Sequence, residues 1–314
     1  MPPIRLGTRG SPLALVQANM VKDALAARHG VACEIHVIKT TGDRVQDRAL
    51  AEIGGKALWT KELDRALLDR EIDIAVHSMK DVETIRPQAI VIAAMLARAD
   101  VRDRLVGADS LAAIRAGGVV GTSSPRRRAQ VLRARPDLSV VLFRGNVDTR
   151  LAKLAAGEAD ATLLAAAGLE RLGRDDVGTP IAVDEMLPAP AQGAVGIECR
   201  ADDAMTLQLL AAIDHGPTSR AVRCERALLA ALDATCHSPV AALATIVDGR
   251  LSLRAELLSE DGAEHVVAEA EALRLSREEA PAIGAGQDGE ALARDLARAL
   301  LDRAPPAVRA GFGG

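Results

Sequence analysis

The chain of 314 residues carries 39 basic and 43 acidic side chains for a net charge of −4, with 49% apolar and 26% charged residues. That is the balance of a globular protein, at a length that calls for two or three domains rather than one core. An aromatic content of 1% removes the stacking platforms that single-stranded nucleic acid needs, and the acidic balance removes bulk attraction to nucleic acid or an anionic membrane.

Met1-Pro2-Pro3-Ile4-Arg5 shows no basic segment leading into an apolar one, so no secretory signal is expected and the cytoplasm is the default location. Residues 4–8 read as a strand. Ser11 is then a helix N-cap with Pro12 at the first helical position, opening a helix to about residue 28. Residues 33–40 are strand-like and 41–56 a polar stretch; 61–70 read as a helix and 72–76 as a buried strand. The grammar then repeats. A strand at 118–121 meets Ser123-Ser124-Pro125, a second helix start of the same kind, and strands at 138–143 and 161–165 flank a helix at 147–156. Residues 180–192, with three prolines, form a connection before a strand at 195–199 and helices at 206–213 and 220–232. Beyond Pro239 the texture changes to three strands, 241–247, 251–258 and 265–270, joined at Asp248-Gly249 and Asp261-Gly262, which are hairpin signals. A helix at 290–302 and a frayed tail at 304–314 end the chain. The longest apolar runs, 89–97 and 163–167, fall well short of the roughly 20 residues of a membrane-spanning helix. The fold class is therefore α/β, with two similar lobes and a smaller C-terminal α+β domain.

Only six of the 39 basic residues are lysine, and the position of the arginines matters more than their number. Arg9, Arg126, Arg127, Arg144 and Arg150 sit where strands end and helices begin. Helix N-termini already attract anions, and a cation in that first turn is normally disfavoured, so the repetition points to an anionic ligand gripped by planar guanidinium forks. At such ligand-facing turns the arginines are expected to gain little from packing. His77-Ser78-Met79-Lys80-Asp81 brings a cation and a carboxylate to the exit of an apolar strand, with His77 a near-core histidine rather than a ligand. Four cysteines form no C-x-x-C pair, and the scattered histidines argue against a metal site. Cys199 and Cys224 read as packing residues. Cys236 lies in an irregular loop, Asp233-Ala234-Thr235-Cys236-His237-Ser238-Pro239, where either packing or a chemically used thiol remains open. Gly54-Gly55-Lys56 is a weak phosphate-loop signal because Ala57 follows the lysine.

In combination these segments resemble the porphobilinogen deaminase (hydroxymethylbilane synthase) family. The resemblance rests on Thr8-Arg9-Gly10-Ser11-Pro12, Gly54-Gly55-Lys56, His77-Ser78-Met79-Lys80-Asp81-Val82 and Gly121-Thr122-Ser123-Ser124 with Arg126-Arg127. It continues through Arg144-Gly145-Asn146-Val147 with Thr149-Arg150 and Gln192-Gly193-Ala194, and covers residues 4 to about 303. It implies two periplasmic-binding-protein-like lobes with a central cleft. The implied boundaries are residues 1–96 with 194–213 for the first lobe, 97–193 for the second, and 214–314 for a third domain bearing the cofactor cysteine. The implied reaction joins four porphobilinogen units head to tail, with loss of ammonia, onto a dipyrromethane cofactor attached through Cys236. Water then releases hydroxymethylbilane.

The resemblance also assigns residues. Asp81 is the catalytic carboxylate that stabilises the cation formed as ammonia leaves, with Lys80 beside it favouring its ionised form. Cofactor binding falls to Cys236, Lys80, Asp81, Thr122, Ser123, Ser124, Arg126, Arg127 and Arg144. Substrate binding falls to Arg9, Ser11, Lys56, Arg144, Arg150, Arg171 and Gln192. No metal is implied. A cytoplasmic monomer is expected, with no nucleic-acid or membrane partner. Departures from the family pattern are Ala57 and Trp59 in G-G-K-G-L-F, Glu83 in D-V-P, Pro125 where leucine is frequent, and Ala234-Thr235 where glycine usually precedes the cysteine. Two other readings use the same residues: a two-lobed receptor for a small carboxylate or oxyanion, and a cysteine hydrolase. A receptor has no use for Asp81 and Cys236, and a hydrolase has no base other than His237.

Overall fold

A computed structural model describes residues 2–40, 60–272 and 287–312 of the chain. The polar stretch at 41–56, including Lys56, lies outside the described residues. In chain order β1 (Ile4–Thr8), α1 (Pro12–His29), β2 (Cys33–Val37), α2 (Lys61–Leu68), β3 (Ile74–Ser78) and β4 (Ile90–Met95) come first. Then follow β5 (Asp103–Val106), β6 (Val119–Gly121), α3 (Pro125–Ala134), β7 (Ser139–Val141), α4 (Val147–Ala155), β8 (Ala161–Ala165), α5 (Ala166–Arg171) and β9 (Thr179–Pro180). The chain closes with β10 (Val195–Arg200), α6 (Ala204–Ala211), α7 (Gly216–Ala231), β11 (Val240–Val247), β12 (Arg250–Leu258), β13 (His265–Ala272), α8 (Gln287–Arg303) and α9 (Pro306–Arg309).

Two five-stranded sheets share one topology. The first runs β2-β1-β3-β10-β4 and the second β7-β6-β8-β5-β9. In each, three parallel strands are followed by one strand antiparallel to its neighbours on both sides. The antiparallel strand is the one that arrives from the other lobe: β5 directly after β4, and β10 directly after β9. The chain therefore crosses between lobes twice, at 96–102 and 181–194. The crossings run together, with Ala99 N donating to Gly193 O at 3.2 Å and Leu96 N to Val195 O at 3.1 Å. Every residue of β10 is buried, as expected of a strand covered on both faces and both edges.

Helix starts follow their caps. Ser11 accepts from Ala14 N with Pro12 at the first turn, and Gly30 closes α1 at φ 65°. Ser124 caps α3 by accepting from Arg127 N, and Asn146 caps α4 by accepting from Thr149 N. Proline supplies a helical φ without adding an orphan N–H, which is why both Ser-Pro starts hold.

The C-terminal domain is the antiparallel sheet β11-β12-β13 with α7 and α8 on its core. Asp248 and Gly249 both take positive φ, 51° and 75°, the geometry of a tight hairpin. The expected frayed tail is instead packed: α9 follows α8, and Ala304, Val308 and Phe312 are buried in this core. Ala304, Val308 and Phe312 recur at every fourth position, a face that Pro305-Pro306 and the closing glycines mask in the sequence. Strands β4 and β5 were not anticipated either. Four residues alternating buried and half-buried, Asp-Arg-Leu-Val, give too short a pattern to read.

Glu225 of α7 binds both crossings to this domain. Its carboxylate accepts from Arg98 at 2.7 and 3.0 Å, from Ala191 N at 2.5 Å and from Ala244 N at 2.8 Å. All four donors meet a fully buried carboxylate, so the ion costs no unpaired charge.

Candidate active site

The strand ends of both lobes and the Cys236 loop converge on a cleft of about 840 Å³. From lobe one, β3 ends in a single 3₁₀ turn, Met79–Asp81. Met79 is buried against β10, where a Cβ on Gly196 would collide with its sulfur. That glycine lets the turn seat tightly, and Lys80 and Asp81 line the cleft. From lobe two, Gly121 admits the buried Phe143 ring in the same way. The turns after β6 and β7 then bring Ser123, Ser124, Arg126, Arg127, Arg144 and Arg150 to the wall. Arg9, Ser11, Arg171, Gln192 and Cys236 also line it. Thr122 does not. It is buried, and its hydroxyl accepts from Ser124 N at 3.2 Å, shaping the turn rather than the surface. Lys56, Ala57 and Trp59 lie outside the described residues.

The expectation that these arginines gain little from packing does not hold for Arg126 and Arg127. Both are buried, and both bind the fully buried Asp103, at 2.8 and 2.7 Å. Arg126 further donates to Gln130 Oε1 and Leu187 O, and Arg127 to Leu163 O. Burial alone would raise the Asp103 carboxyl, but the two guanidinium charges outweigh it and hold it well below the usual carboxylate range. Two cations share one anion, which leaves a surplus positive charge at the cleft wall. The Nε–H groups of both arginines are buried without a partner.

Gln192 joins this cluster to lobe one. Its amide donates to Asp103 Oδ1 and Val101 O, each at 2.8 Å, and accepts from Lys80 Nζ at 3.5 Å. Its polar atoms are therefore engaged by the protein. Burial and then the Arg127 charge push the Lys80 ammonium down to about 8, against the opposing pull of Asp81 and Asp103. Burial, with Arg127 and Arg144 adding, pushes Arg150 down to about 10. Arg150 donates to Gly145 O at 3.0 Å and Ser123 Oγ at 3.4 Å. Arg171 reaches Gly193 O at 2.6 Å, its Nε–H buried and unpaired. The cleft is a crowd of cations that repel one another, an arrangement that multiple carboxylates relieve.

Of the four cysteines, Cys33, Cys199 and Cys224 are buried and Cys236 is exposed. The Cys236 loop is pinned by Thr235 N donating to Ser238 Oγ at 3.1 Å and His237 N to Thr235 Oγ1 at 3.2 Å. Asp233 takes the left-handed turn at φ 49°, a conformation that a short polar side chain tolerates better than most. Thr84 Oγ1 donates to Ala234 O at 2.8 Å, and Arg226 donates to the carbonyls of Val82, Glu83 and Thr84. These bonds tie the segment after Asp81 to the loop that bears the thiol. Cys236 keeps solvent contact while surrounding protein strips part of its hydration. That loss, with the Asp81 and Glu83 carboxylates, pushes the thiol up to about 11. Asp81 makes no ion pair among the described residues. His77 is buried 3.1 Å from Glu198, a packed histidine as expected. No group of three metal-binding side chains occurs among the described residues.

Comparison with known proteins names this arrangement. Residues 4–208 match the family model "Porphobilinogen deaminase, dipyromethane cofactor binding domain", and residues 219–300 match "Porphobilinogen deaminase, C-terminal domain". The chain belongs to the porphobilinogen deaminase family. The porphobilinogen deaminase of Sphingopyxis alaskensis is 57% identical, covering 99% of this chain and 96% of its own length. That of Paracoccus denitrificans is 53% identical over 96% and 95%, and the chloroplastic enzyme of Oryza sativa is 52% identical over 82% and 75%. Among solved structures, substrate binding domain 2 of Lactococcus lactis GlnP superposes with a TM-score of 0.42 at 12% identity, over 73% of this chain and 89% of that one.

Membership makes the chain an enzyme of tetrapyrrole biosynthesis with a dipyrromethane cofactor and porphobilinogen as substrate. The residues present fit that cofactor. A dipyrromethane carries several carboxylates, and the cleft offers cations with spare N–H groups around the one exposed thiol. Sequence reasoning missed Asp103, Glu225, Arg226 and Thr84, which hold the site from behind. The one signal was a charged residue at an inward position of β5. No helix among the described residues is long and apolar enough to cross a membrane.

Proposed function

We propose that Cys236 anchors the dipyrromethane as a thioether and that Asp81 is the catalytic carboxylate of a porphobilinogen-polymerising transferase. The observation that carries this is the exposed Cys236 thiol in a cation-lined cleft, tied through Thr84 and Ala234 to the turn bearing Asp81. When bound, the dipyrromethane supplies the pyrrole carbon that accepts the first porphobilinogen unit. Arg126, Arg127, Arg144, Ser123 and Ser124 hold cofactor carboxylates, with Lys80 assisting and Thr122 shaping the turn. Arg9, Ser11, Arg150 and Arg171, with Arg144 shared between cofactor and substrate, receive the acetate and propionate of incoming substrate, each charge-assisted contact contributing roughly 1.5–3 kcal/mol. Lys56 and Gln192 complete the substrate set, Gln192 acting by orienting Lys80. Asp81, unpaired among the described residues, stabilises the positive charge that develops on the pyrrole N–H as ammonia departs.

A thiol held near 11 suits a bond made once rather than repeated nucleophilic attack at neutral pH. With His237 pushed down by burial and making no hydrogen bond to Cys236 among the described residues, this weighs against the hydrolase reading. We also assign residues 1–96 with 194–213, 97–193 and 214–314 to three domains, and a cytoplasmic monomer as the working form. The test is intact mass of the purified chain. The enzyme carries a dipyrromethane increment that Cys236→Ala lacks; a receptor or hydrolase matches the sequence mass.

A further inference from the structure

Helix α3 carries Arg126 and Arg127 in its first turn and Gln130 in the next. Gln130 is buried, and its Oε1 accepts from Arg126 at 2.9 Å. Its amide nitrogen donates to Leu187 O at 3.1 Å and to Glu256 Oε2 at 2.8 Å. Glu256 belongs to β12 of the C-terminal sheet and is itself buried. Its other oxygen lies 2.6 Å from the half-buried Arg133 of α3. The β12–β13 hairpin docks on the same helix: a Cβ on Gly262 would collide with Ala129 O. A hydrogen-bonded chain thus runs from the C-terminal sheet through Gln130 to an arginine of the cleft.

Two properties of this chain give it a role beyond docking. A carboxylate only accepts hydrogen bonds, so Glu256 holds the NH₂ end of the Gln130 amide and leaves its carbonyl for Arg126. Asp103 also carries one charge between two guanidiniums. Glu256 brings a second negative charge that also acts on Arg126. We propose that Glu256 is a positioning residue for Arg126, setting the direction of its guanidinium so that the C-terminal domain controls how lobe two grips carboxylates. This rests on the reading that Arg126 binds cofactor or substrate carboxylates.

The test uses the full-length enzyme and five variants: Glu256→Gln, Gln130→Glu, the two combined, Arg133→Gln and Arg126→Lys. Each is measured for KM and kcat with porphobilinogen and, by intact mass, for the fraction of chains carrying dipyrromethane. Glu256→Gln removes the charge, and Gln130→Glu sets two carboxylates face to face. Each is expected to raise KM about three- to tenfold, the net worth of one ordinary hydrogen bond, with a smaller change in kcat and lower cofactor occupancy. The reciprocal swap restores one donor and one acceptor between positions 130 and 256 but loses the amide bond to Leu187 O, and it should bring both readouts closer to wild type than either single variant does. Arg133→Gln removes the half-buried ion partner of Glu256 and leaves the amide alone; it should melt earlier with KM and occupancy unchanged. If Gln130→Glu does not fold, Glu256→Gln against Arg133→Gln decides the matter. Wild-type KM and occupancy in Glu256→Gln, or equal losses in Arg133→Gln, would overturn the proposal. Arg126→Lys separates the two levels. If it raises KM while Glu256→Gln does not, the relay fails alone; if it leaves KM and occupancy untouched, the underlying reading of Arg126 fails with it.

Discussion

Asp103→Asn isolates the charge that holds the lobe-two wall together. The substitution keeps the shape and removes the one anion lying between Arg126 and Arg127. Three donors converge on that carboxylate, two of them guanidiniums and the third the Gln192 amide. The asparagine NH₂ would then face a donor. Removing one partner of a buried ion pair costs about 3–5 kcal/mol because the remaining charge is left uncompensated. A chain of this length unfolds with an entropy of about 2.1 cal/mol/K per residue, so the melting temperature should fall by roughly 5–8 °C. The loss also has a pH signature. Asp103 ionises in the folded protein well below its ordinary value of 3.8, so its stabilisation is complete above that value and is lost as pH falls through the folded value. Between pH 5 and 3 the unfolded carboxyl takes up its proton while the folded one stays ionised. Across that window the gap between wild type and variant should narrow by about 1 kcal/mol. Urea melts at several pH values, followed by circular dichroism, measure both quantities. A variant melting within 2 °C of wild type, or a gap unchanged from pH 5 to pH 3, would refute the reasoning that Asp103 is the shared counter-ion.

Lys80, pushed down to about 8, should lose its charge as pH rises through that value. kcat/KM is then expected to decline above pH 8, and Lys80→Arg, which stays protonated, should show a flatter profile. Asp81→Ala should keep or acquire a pyrrole adduct on Cys236 yet turn over about 10²–10⁴ more slowly, read by mass spectrometry beside an ammonia-release assay; near-normal turnover rules out its catalytic role. Gly262→Ala forces a side chain into φ 72° and onto Ala129 O. It should destabilise the junction of α3 with the C-terminal sheet by at least about 1–3 kcal/mol, and a calorimetric trace identical to wild type would show the docking to be loose.

Local chemistry made much of this protein readable in advance. Ser11-Pro12 and Ser124-Pro125 start helices because capping and a preset φ act within three residues. The hairpins at Asp248-Gly249 and Asp261-Gly262 join three strands with nearly the expected limits, since turn chemistry is likewise local. Arginines at strand ends marked the cleft, and motif order marked the family. Long-range pairing decided the rest. The place of β10 between β3 and β4 depends on a chain that returns after about a hundred residues, and no periodicity within a strand carries that information. The tail looked frayed because only the finished C-terminal core offers Val308 and Phe312 a surface to bury against. Arg126 and Arg127 looked free of packing because their counter-ion, Asp103, lies more than twenty residues away on a strand too short to recognise. A charge declares its type in the sequence. Whether it is a surface cation, a buried ion pair or a wall of the cleft is settled by which distant groups the fold brings within 3 Å, because burial and electrostatic interaction depend on distance in space rather than along the chain.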